Sequence, residues 1–149
     1  HESPLRPHSF VTRKVTSAVA RIARGCMETL VLGDLSIRRD WGWAPEYVEA
    51  MWAMLQQERA EDYVIATGVT HSLEDFVRET FSCIGLQWRD HVRSDSALRR
   101  PSEISCGCGD ASRVATQLAW KAESLMPDVV ARMIKAEGVE LKAVRGSAV

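Results

Sequence analysis

Several features that mark whole classes of protein are absent from this sequence. No apolar run approaches the roughly 20 residues that a membrane-spanning helix needs, and no signal peptide is recognisable. The formal net charge is −1, so the chain lacks the excess of Lys and Arg that general nucleic-acid-binding and membrane-surface proteins carry. We therefore expect a cytoplasmic protein whose partners include neither nucleic acid nor a membrane.

The cysteines and glycines also lack the spacings that define common sites. The four cysteines form no Cys-x-x-Cys pair, which favours free thiols over a disulfide framework. Cys106 and Cys108 are close in sequence, but a zinc ion would need two further ligands, and the candidates are His91 and Cys83. We expect no metal site. The sequence has no Gly-x-Gly-x-x-Gly turn to hold the pyrophosphate of a dinucleotide.

The pattern that is present is that of one globular region. Hydrophobic residues make up 46% and charged residues 26% of the 149 residues, which is ordinary for a domain with a real core. Helices alternate with short strands, which indicates α/β or α+β material with too few strands for a complete doubly wound sheet. We predict helices at 12–25, 45–58, 111–118 and 125–137, strands at 29–32, 63–66 and 86–89, a loop at 90–102 and a frayed tail at 141–149.

A further helix is predicted directly after Ser72. Ser72 with Asp75 approximates a capping box, in which each side chain accepts a hydrogen bond from the other's backbone N–H. The residues that follow place apolar side chains on one face. The stripe that we expect to be buried consists of Leu73, Phe76, Val77 and Phe81.

The most informative segment is 38–52, where a charged turn is predicted to precede an amphipathic helix. Arg38 and Arg39 are followed by Asp40 and two tryptophans. The planar guanidinium group gives two parallel charge-assisted hydrogen bonds, which suits a diphosphate. Helical spacing in the following helix predicts one buried face. Its members are Val48, Met51, Trp52 and Leu55.

Blocks spread over most of the chain, in order, resemble one family. They are similar to the GDP-mannose 4,6-dehydratases, members of the extended short-chain dehydrogenase/reductase superfamily. The blocks are His1-Glu2-Ser3-Pro4, Phe10-Val11-Thr12-Arg13-Lys14, Leu32-Gly33-Asp34-Leu35, the Arg-Asp-Trp-Gly turn at 39–42, Asp62-Tyr63-Val64-Ile65-Ala66-Thr67-Gly68 followed by His71-Ser72, and Arg100-Pro101-Ser102-Glu103.

This resemblance implies a fold and a reaction. The chain would be the C-terminal, substrate-binding portion of an extended short-chain dehydrogenase/reductase, an α/β fold of Rossmann type, with residues 1–149 as one partial domain and the N-terminal dinucleotide-binding half missing. The family is a lyase family that converts GDP-mannose to GDP-4-keto-6-deoxymannose with NADP as bound redox cofactor, on the way to GDP-fucose. The expected partners are GDP-mannose and either the missing half or further copies of the chain.

The catalytic part of that family is not expected here. Its chemistry needs a Tyr-x-x-x-Lys motif, and the only tyrosines are Tyr47 and Tyr63. Met51 and Thr67 stand four positions later, so neither tyrosine has its lysine. The chain also begins inside a family block, at His1, and we interpret it as a fragment that is inactive alone. The alternative is a relic, or a stand-alone module that binds sugar nucleotides.

Two groups of binding residues follow from the resemblance near the start of the chain. His1 and Arg6 match the loop that touches the cofactor near its nicotinamide, and the alternative for His1 is a solvated terminus. Val11 and Lys14 match a block that binds the nucleotide at a helix start, where exposed N–H groups favour anions. The alternative for Lys14 is a solvated helix face. Pro7 stands where the family has glycine and stiffens this loop.

The remaining binding residues lie further along the chain. Arg39 matches the arginine that meets the diphosphate, although a structural ion pair with Asp40 or Glu46 is the alternative. Arg100 is expected to grip phosphate and Glu103 to hold the ribose hydroxyls, since a carboxylate can accept hydrogen bonds from both hydroxyls of a diol. Their alternative is a surface ion pair with each other. The stretch between Trp88 and Arg100 is shorter than in the family.

Overall fold

Short strands and amphipathic helices alternate in the structure, a computed structural model that describes residues 1–98 and 102–142. Within these ranges the helices are α1 (Val11–Ala23), α2 (Ala44–Leu55), α3 (Leu73–Ser82), α4 (Ser112–Leu118) and α5 (Met126–Ala136). The strands are β1 (Leu30–Leu32), β2 (Arg38–Asp40), β3 (Thr70–Ser72), β4 (Val92–Ser94) and β5 (Cys106–Gly107). The predicted helices are therefore confirmed, with ends that differ by a few residues.

The strands form two small sheets. Strand β1 pairs in parallel with β4, with Leu30 opposite Val92. Strand β2 is central in the other sheet, antiparallel to β3 and parallel to β5. In that sheet Arg39 lies opposite His71 on one side and Gly107 on the other. The charged segment of β2 is thus held by backbone hydrogen bonds on both of its edges.

Helices α1, α3 and α5 pack against one another and build the core. Each has one strongly apolar face, and the stripe predicted for α3 is completely buried. Val15 and Val19 of α1 and Val130 and Ile134 of α5 meet it. Burial of each such side chain is worth about 1.5–3 kcal/mol, so these three helices supply much of the stability of the fold.

The start of α3 confirms the predicted cap. The Asp75 amide donates to Ser72 Oγ at 3.0 Å, and the Ser72 amide donates to Asp75 Oδ2 at the same distance. Hydrogen bonds from Ser72, first that of its hydroxyl, hold the pKa of Asp75 below its ordinary value, against the opposing effect of partial burial. The cap fixes the end of β3 and therefore the position of the mixed sheet beside the core.

Several strand predictions were wrong. Arg38–Asp40 is a strand and not a turn, because β3 and β5 supply partners for its backbone. Residues 63–66 are irregular, since no described strand pairs with them, and the strand of this region is Thr70–Ser72 instead. A strand needs a neighbour for its hydrogen bonds, and an apolar run does not specify one.

Corrections also apply after α3. The strand predicted at 86–89 is absent; a short 3₁₀ turn covers Trp88–Asp90 instead. The predicted loop 90–102 contains β4, which pairs with β1. At the end of the chain, residues 141 and 142 have no regular structure, and the rest of the predicted tail lies outside the described residues. No helix in the described part of the chain is long and apolar enough to cross a membrane.

The buried face predicted for α2 was wrong in its packing. Val48, Met51, Trp52 and Leu55 are 59, 42, 65 and 81% exposed, and the side chains that α2 does bury belong to Tyr47 and Ala50. The apolar stripe exists in the sequence, but no described residue covers it.

Candidate functional site

Arg39 in the centre of the mixed sheet is held by three hydrogen bonds. Its Nη1 donates to the backbone carbonyls of Arg38 at 2.8 Å and of Ile104 at 2.7 Å. Its Nη2 donates to Glu103 Oε1 at 2.5 Å, and the two side chains are each 28% exposed. The guanidinium group is therefore fixed in position but still reachable from solvent.

These contacts use three of the five N–H donors of Arg39. Nε and one N–H of Nη2 form no hydrogen bond within residues 1–98 and 102–142. Guanidinium donors in a planar fork suit a phosphate group. The ion pairs that were the alternative for Arg39 do not occur: Asp40 and Glu46 bind other groups, and Glu103 takes their place.

Glu103 is thus placed beside Arg39, which the sequence did not predict. One carboxylate oxygen, Oε1, binds Arg39, and Oε2 has no hydrogen bond within the described residues. Arg100, the other half of the pair predicted from the sequence, lies outside the described residues. The block Arg100-Pro101-Ser102-Glu103 shows that the two residues are close in sequence, but it does not predict which strand Glu103 lies beside. The register of β2 with β5 determines that position.

A cleft of about 370 Å³ lies on another side of the mixed sheet. His1 lies beside Tyr47 there, with ring centroids 5.2 Å apart. Asp40, Gly109 and the irregular segment 63–66 complete the lining together with Met51. The cleft combines an imidazole, a carboxylate and two phenols with an apolar wall, a composition that suits a small polar ligand.

Asp40 organises one wall of this cleft. Its Oδ1 accepts hydrogen bonds from the Thr67 amide at 3.2 Å and the Thr67 hydroxyl at 2.7 Å. Its Oδ2 accepts from the Gly68 amide at 2.8 Å. The carboxylate therefore holds the loop after residue 66 against β2. Sequence reasoning missed this role, although Asp40, Thr67 and Gly68 all lie in blocks that carry the family resemblance.

Tyr47 is a buried structural phenol. Burial first, then the negative charges of Asp40 and Glu46, raise its pKa to about 12, while a backbone hydrogen bond with Thr67 acts in the opposite direction. A tyrosine that serves as a general base needs a lowered pKa. The pKa shift of Tyr47 is in the opposite direction, and the sequence has no lysine four residues later.

The loop before α1 uses its charged groups internally. Arg6 Nε lies 3.4 Å from Glu2 Oε2, its Nη1 donates to the His1 carbonyl at 3.3 Å, and its guanidinium carbon lies 4.0 Å from the ring centroid of Phe10. Glu2 is buried and accepts the Thr12 hydroxyl at 2.5 Å. Arg6 therefore shapes the loop, and His1 is the residue of this pair that reaches the cleft.

Val11 begins α1 and Lys14 lies one turn later. Val11 is partly buried against the core, and the exposed Lys14 donates from Nζ to the Val31 carbonyl at 2.7 Å. The Glu2 carboxylate lies near the start of α1 through its bond to Thr12, where it benefits from the helix dipole. The nucleotide role of Val11 and Lys14 stays a prediction.

The described residues thus form two separate groups. Arg39 and Glu103 are together, and His1 lies in the cleft with Asp40 and Tyr47. Neither Arg39 nor Glu103 is among the described residues that line the cleft. No group of three or more His, Cys, Asp or Glu side chains in residues 1–98 and 102–142 is arranged to hold a metal ion.

Comparison with solved structures defines the class of fold. The structure of RMD from Pseudomonas aeruginosa complexed with NADPH matches with a TM-score of 0.78 at 18% identity, over 89% of this chain and 43% of that one. The dTDP-glucose 4,6-dehydratase of Bacillus anthracis in complex with NAD matches with a TM-score of 0.78 at 14% identity, over 92% and 41%. The chain therefore has the fold of part of an extended short-chain dehydrogenase/reductase.

Sequence comparison then gives the family. The family model for GDP-mannose 4,6 dehydratase matches residues 1–133, and the chain belongs to that family. It is 45% identical over 141 residues to GDP-mannose 4,6 dehydratase 1 of Arabidopsis thaliana and 40% identical over 158 residues to the human GDP-mannose 4,6 dehydratase. These matches cover 95% of this chain but only 39% and 42% of those relatives, so the chain spans less than half of their length.

Proposed function

We propose that this chain is the part of a GDP-mannose 4,6-dehydratase that binds the GDP portion of the substrate. The observation that carries the proposal is the fixed guanidinium group of Arg39, with two N–H donors unused among the described residues beside the Glu103 carboxylate. Family membership supplies the substrate class. The family's dehydration of GDP-mannose would require the portion of the relatives that the chain does not span.

Arg39 is proposed to bind the diphosphate. Its side chain needs little reorganisation, because two backbone carbonyls and Glu103 already hold it. Each hydrogen bond to a charged group contributes about 1.5–3 kcal/mol net of the hydration that is lost. Arg100 is proposed to add a second cation, and Val11 and Lys14 to contact the nucleotide at the start of α1.

Glu103 is proposed to bind the ribose. Its Oε2 is available to accept a hydroxyl hydrogen bond, while Oε1 stays on Arg39. The same carboxylate partly neutralises Arg39, which limits the pull of that guanidinium on other anions. Selectivity for a nucleoside diphosphate over free phosphate follows, because only a nucleotide would engage both residues.

NADP is proposed as the cofactor of the complete enzyme, where it supplies hydride transfer. Only a small part of this chain is a candidate to contact NADP. His1 reaches the cleft beside Tyr47, while Arg6 already contacts Glu2, Phe10 and the His1 carbonyl. We propose His1 as the contact and Arg6 as the residue that positions it.

Isothermal titration with GDP and with GDP-mannose tests the proposal. We expect binding of GDP by the chain and a loss of at least about tenfold in affinity for Arg39→Met, which removes the charge and the two N–H donors that are unused among the described residues. Arg38→Met is the matched control, because Arg38 precedes Arg39 in β2 but binds the Thr70 carbonyl, so its removal should leave the affinity within about twofold.

The outcomes separate the alternatives. Equal losses for the two arginine variants would show that general positive charge is responsible and would refute the assigned site. A folded chain that binds neither ligand would be a relic, the alternative that the missing Tyr-x-x-x-Lys motif suggests. Glu103→Gln should weaken the binding of guanosine, which carries the ribose diol without a phosphate, whereas Arg39→Met should weaken the binding of GDP more than that of guanosine.

A further inference from the structure

Two exposed thiols that the proposed site does not use lie two residues apart, next to the strand that carries Arg39. Cys106 belongs to β5, and Cys108 directly follows that strand. Both thiols are free and exposed, whereas the Cys83 thiol is buried in the core. The pair is therefore open to reagents in solution.

The register of β5 with β2 places the two thiols on one face of the mixed sheet. Gly107, which separates them, lies opposite Arg39, and a Cβ added to this glycine would lie 3.7 Å from Cδ of Arg39. Side chains alternate along an extended chain, so the two cysteines lie on the other face. Cys108 Sγ accordingly lies 3.6 Å from the Gly68 carbonyl oxygen, and the Gly68 amide is the group that Asp40 binds.

The spacing of the two cysteines is near the limit for a disulfide. An extended strand rises about 3.3 Å per residue, which puts Cα atoms two positions apart at about 6.6 Å. Disulfides join Cα atoms that are about 4.4–6.8 Å apart, most often about 5.5–6 Å. A bond between Cys106 and Cys108 therefore requires the chain to bend at Gly107, where the absence of a Cβ makes bending easiest. The bend would disturb the pairing of β5 with β2.

The segment just before the thiol pair is the one that holds Arg39. The Glu103 carboxylate and the Ile104 carbonyl accept hydrogen bonds from its guanidinium group. The Ser105 carbonyl accepts a backbone N–H of β2 at 2.8 Å. A bend at Gly107 would move these three acceptors relative to the guanidinium group and to β2.

We propose that Cys106 and Cys108 form a reversible disulfide by exchange with a low-molecular-weight disulfide such as oxidised glutathione, and that its closure loosens the segment 103–107 from β2. The thiolate of one cysteine attacks the small disulfide, forms a mixed disulfide with it and displaces one small thiolate. The other cysteine then attacks the protein sulfur of the mixed disulfide, closes the intramolecular bond and displaces the second small thiolate. The two protons that the cysteines lose end on the two small thiols, so the protein thiols are oxidised and the small disulfide is reduced.

Mass spectrometry of tryptic peptides, after incubation of the folded chain with oxidised glutathione, tests the disulfide. Trypsin releases Cys106 and Cys108 in one peptide that contains neither Cys26 nor Cys83. We expect this peptide to lose the mass of two hydrogen atoms and to regain it in dithiothreitol. Cys26 is the matched control, because it is exposed and has no other cysteine near it in sequence. It should gain one glutathionyl group instead, and so should Cys108 in Cys106→Ser.

Three results of this experiment would overturn the proposal. They are two glutathionyl groups on the peptide, a disulfide between two copies of the chain, and thiols that stay unmodified while Cys26 reacts.

Hydrogen exchange tests the loosening. The amide of Arg38 is the β2 donor to Ser105, and its exchange should be at least about tenfold faster in the oxidised chain, as the loss of one backbone hydrogen bond predicts. The double variant Cys106→Ser with Cys108→Ser is the control, and the oxidant should leave its exchange unchanged. Equal exchange of the Arg38 amide in the oxidised and reduced wild-type chain would overturn the loosening.

The effect of the disulfide on nucleotide binding rests on the proposed function of Arg39 and Glu103, whereas the disulfide itself does not. We expect the oxidised chain to bind GDP at least about tenfold more weakly than the reduced chain, and the double serine variant to be insensitive to the oxidant. A reduced chain that binds no GDP would overturn the proposed function, while mass and hydrogen exchange still decide the disulfide. Unchanged GDP affinity in a chain whose peptide has lost two hydrogen atoms would overturn the link between the thiol pair and Arg39.

Discussion

Asp40 should contribute to stability because its side chain holds the loop after residue 66. Replacement by Asn distinguishes the hydrogen bonds to its two carboxylate oxygens. The carboxylate accepts two bonds from Thr67 through Oδ1 and one from the Gly68 amide through Oδ2. In Asp40→Asn one oxygen remains and can keep the Thr67 bonds, while the amide nitrogen faces the Gly68 N–H as a second donor. Asp40→Ala loses all three bonds.

The magnitudes follow from the number of bonds lost. Hydrogen bonds to a charged acceptor contribute about 1.5–3 kcal/mol each, and partial exposure of Asp40 puts these at the lower end. We expect a loss of about 1–2 kcal/mol for Asp40→Asn and about 4–5 kcal/mol for Asp40→Ala in the free energy of unfolding. For a chain of this size, each kcal/mol lowers the Tm by about 2–4 °C.

Urea unfolding followed by tryptophan fluorescence measures both losses, with equal m-values as the check that the unfolded state is unchanged. Glu49→Gln is a suitable control, because Glu49 is an exposed carboxylate on α2. Identical stability of the Asn and Ala variants would refute the reasoning, since it would show that the Thr67 bonds contribute nothing once the charge is gone.

Two further predictions concern the turn before α2 and the cap of α3. Gly42→Ala should destabilise the fold by about 2–3 kcal/mol in urea unfolding, because an added Cβ would lie 2.2 Å from the Tyr47 hydroxyl oxygen and 2.4 Å from two of its ring carbons. The same change should cost much less in a Tyr47→Ala background, which lacks all three atoms. Gly25→Ala, which meets no atom within 4 Å but has φ of +93°, measures backbone strain alone. The pKa of Asp75 lies below its ordinary 3.8, chiefly through the Ser72 hydroxyl, so its contribution to stability is complete above pH 3.8 and is lost as pH falls through the lowered value. Ser72→Ala should therefore lower the free energy of unfolding by about 1 kcal/mol at pH 7 and by less in acid. A difference between variant and wild type that stays constant across this pH range would contradict the assignment.

The helices could be predicted because their signals are local. The stripe of α3 and the pairing of Ser72 with Asp75 lie within ten residues, and both were found in the structure. The placement of Arg39 could not be derived in this way. Its partner Glu103 is 64 residues away, and only the register of β2 with β5 brings them together. The strand prediction at 63–66 was wrong for the same reason, since pairing depends on distant backbone.

The prediction that the apolar face of α2 is buried was wrong for a different reason. Periodicity identified Val48, Met51, Trp52 and Leu55 as one apolar face, and the helix carries them on one side as predicted. What periodicity cannot supply is the surface that covers them. The core of α1, α3 and α5 is complete without this face, so its exposure does not come from poor packing of the chain itself. Periodicity therefore identifies which side chains share a face of the helix, whereas the burial of that face depends on what packs against it.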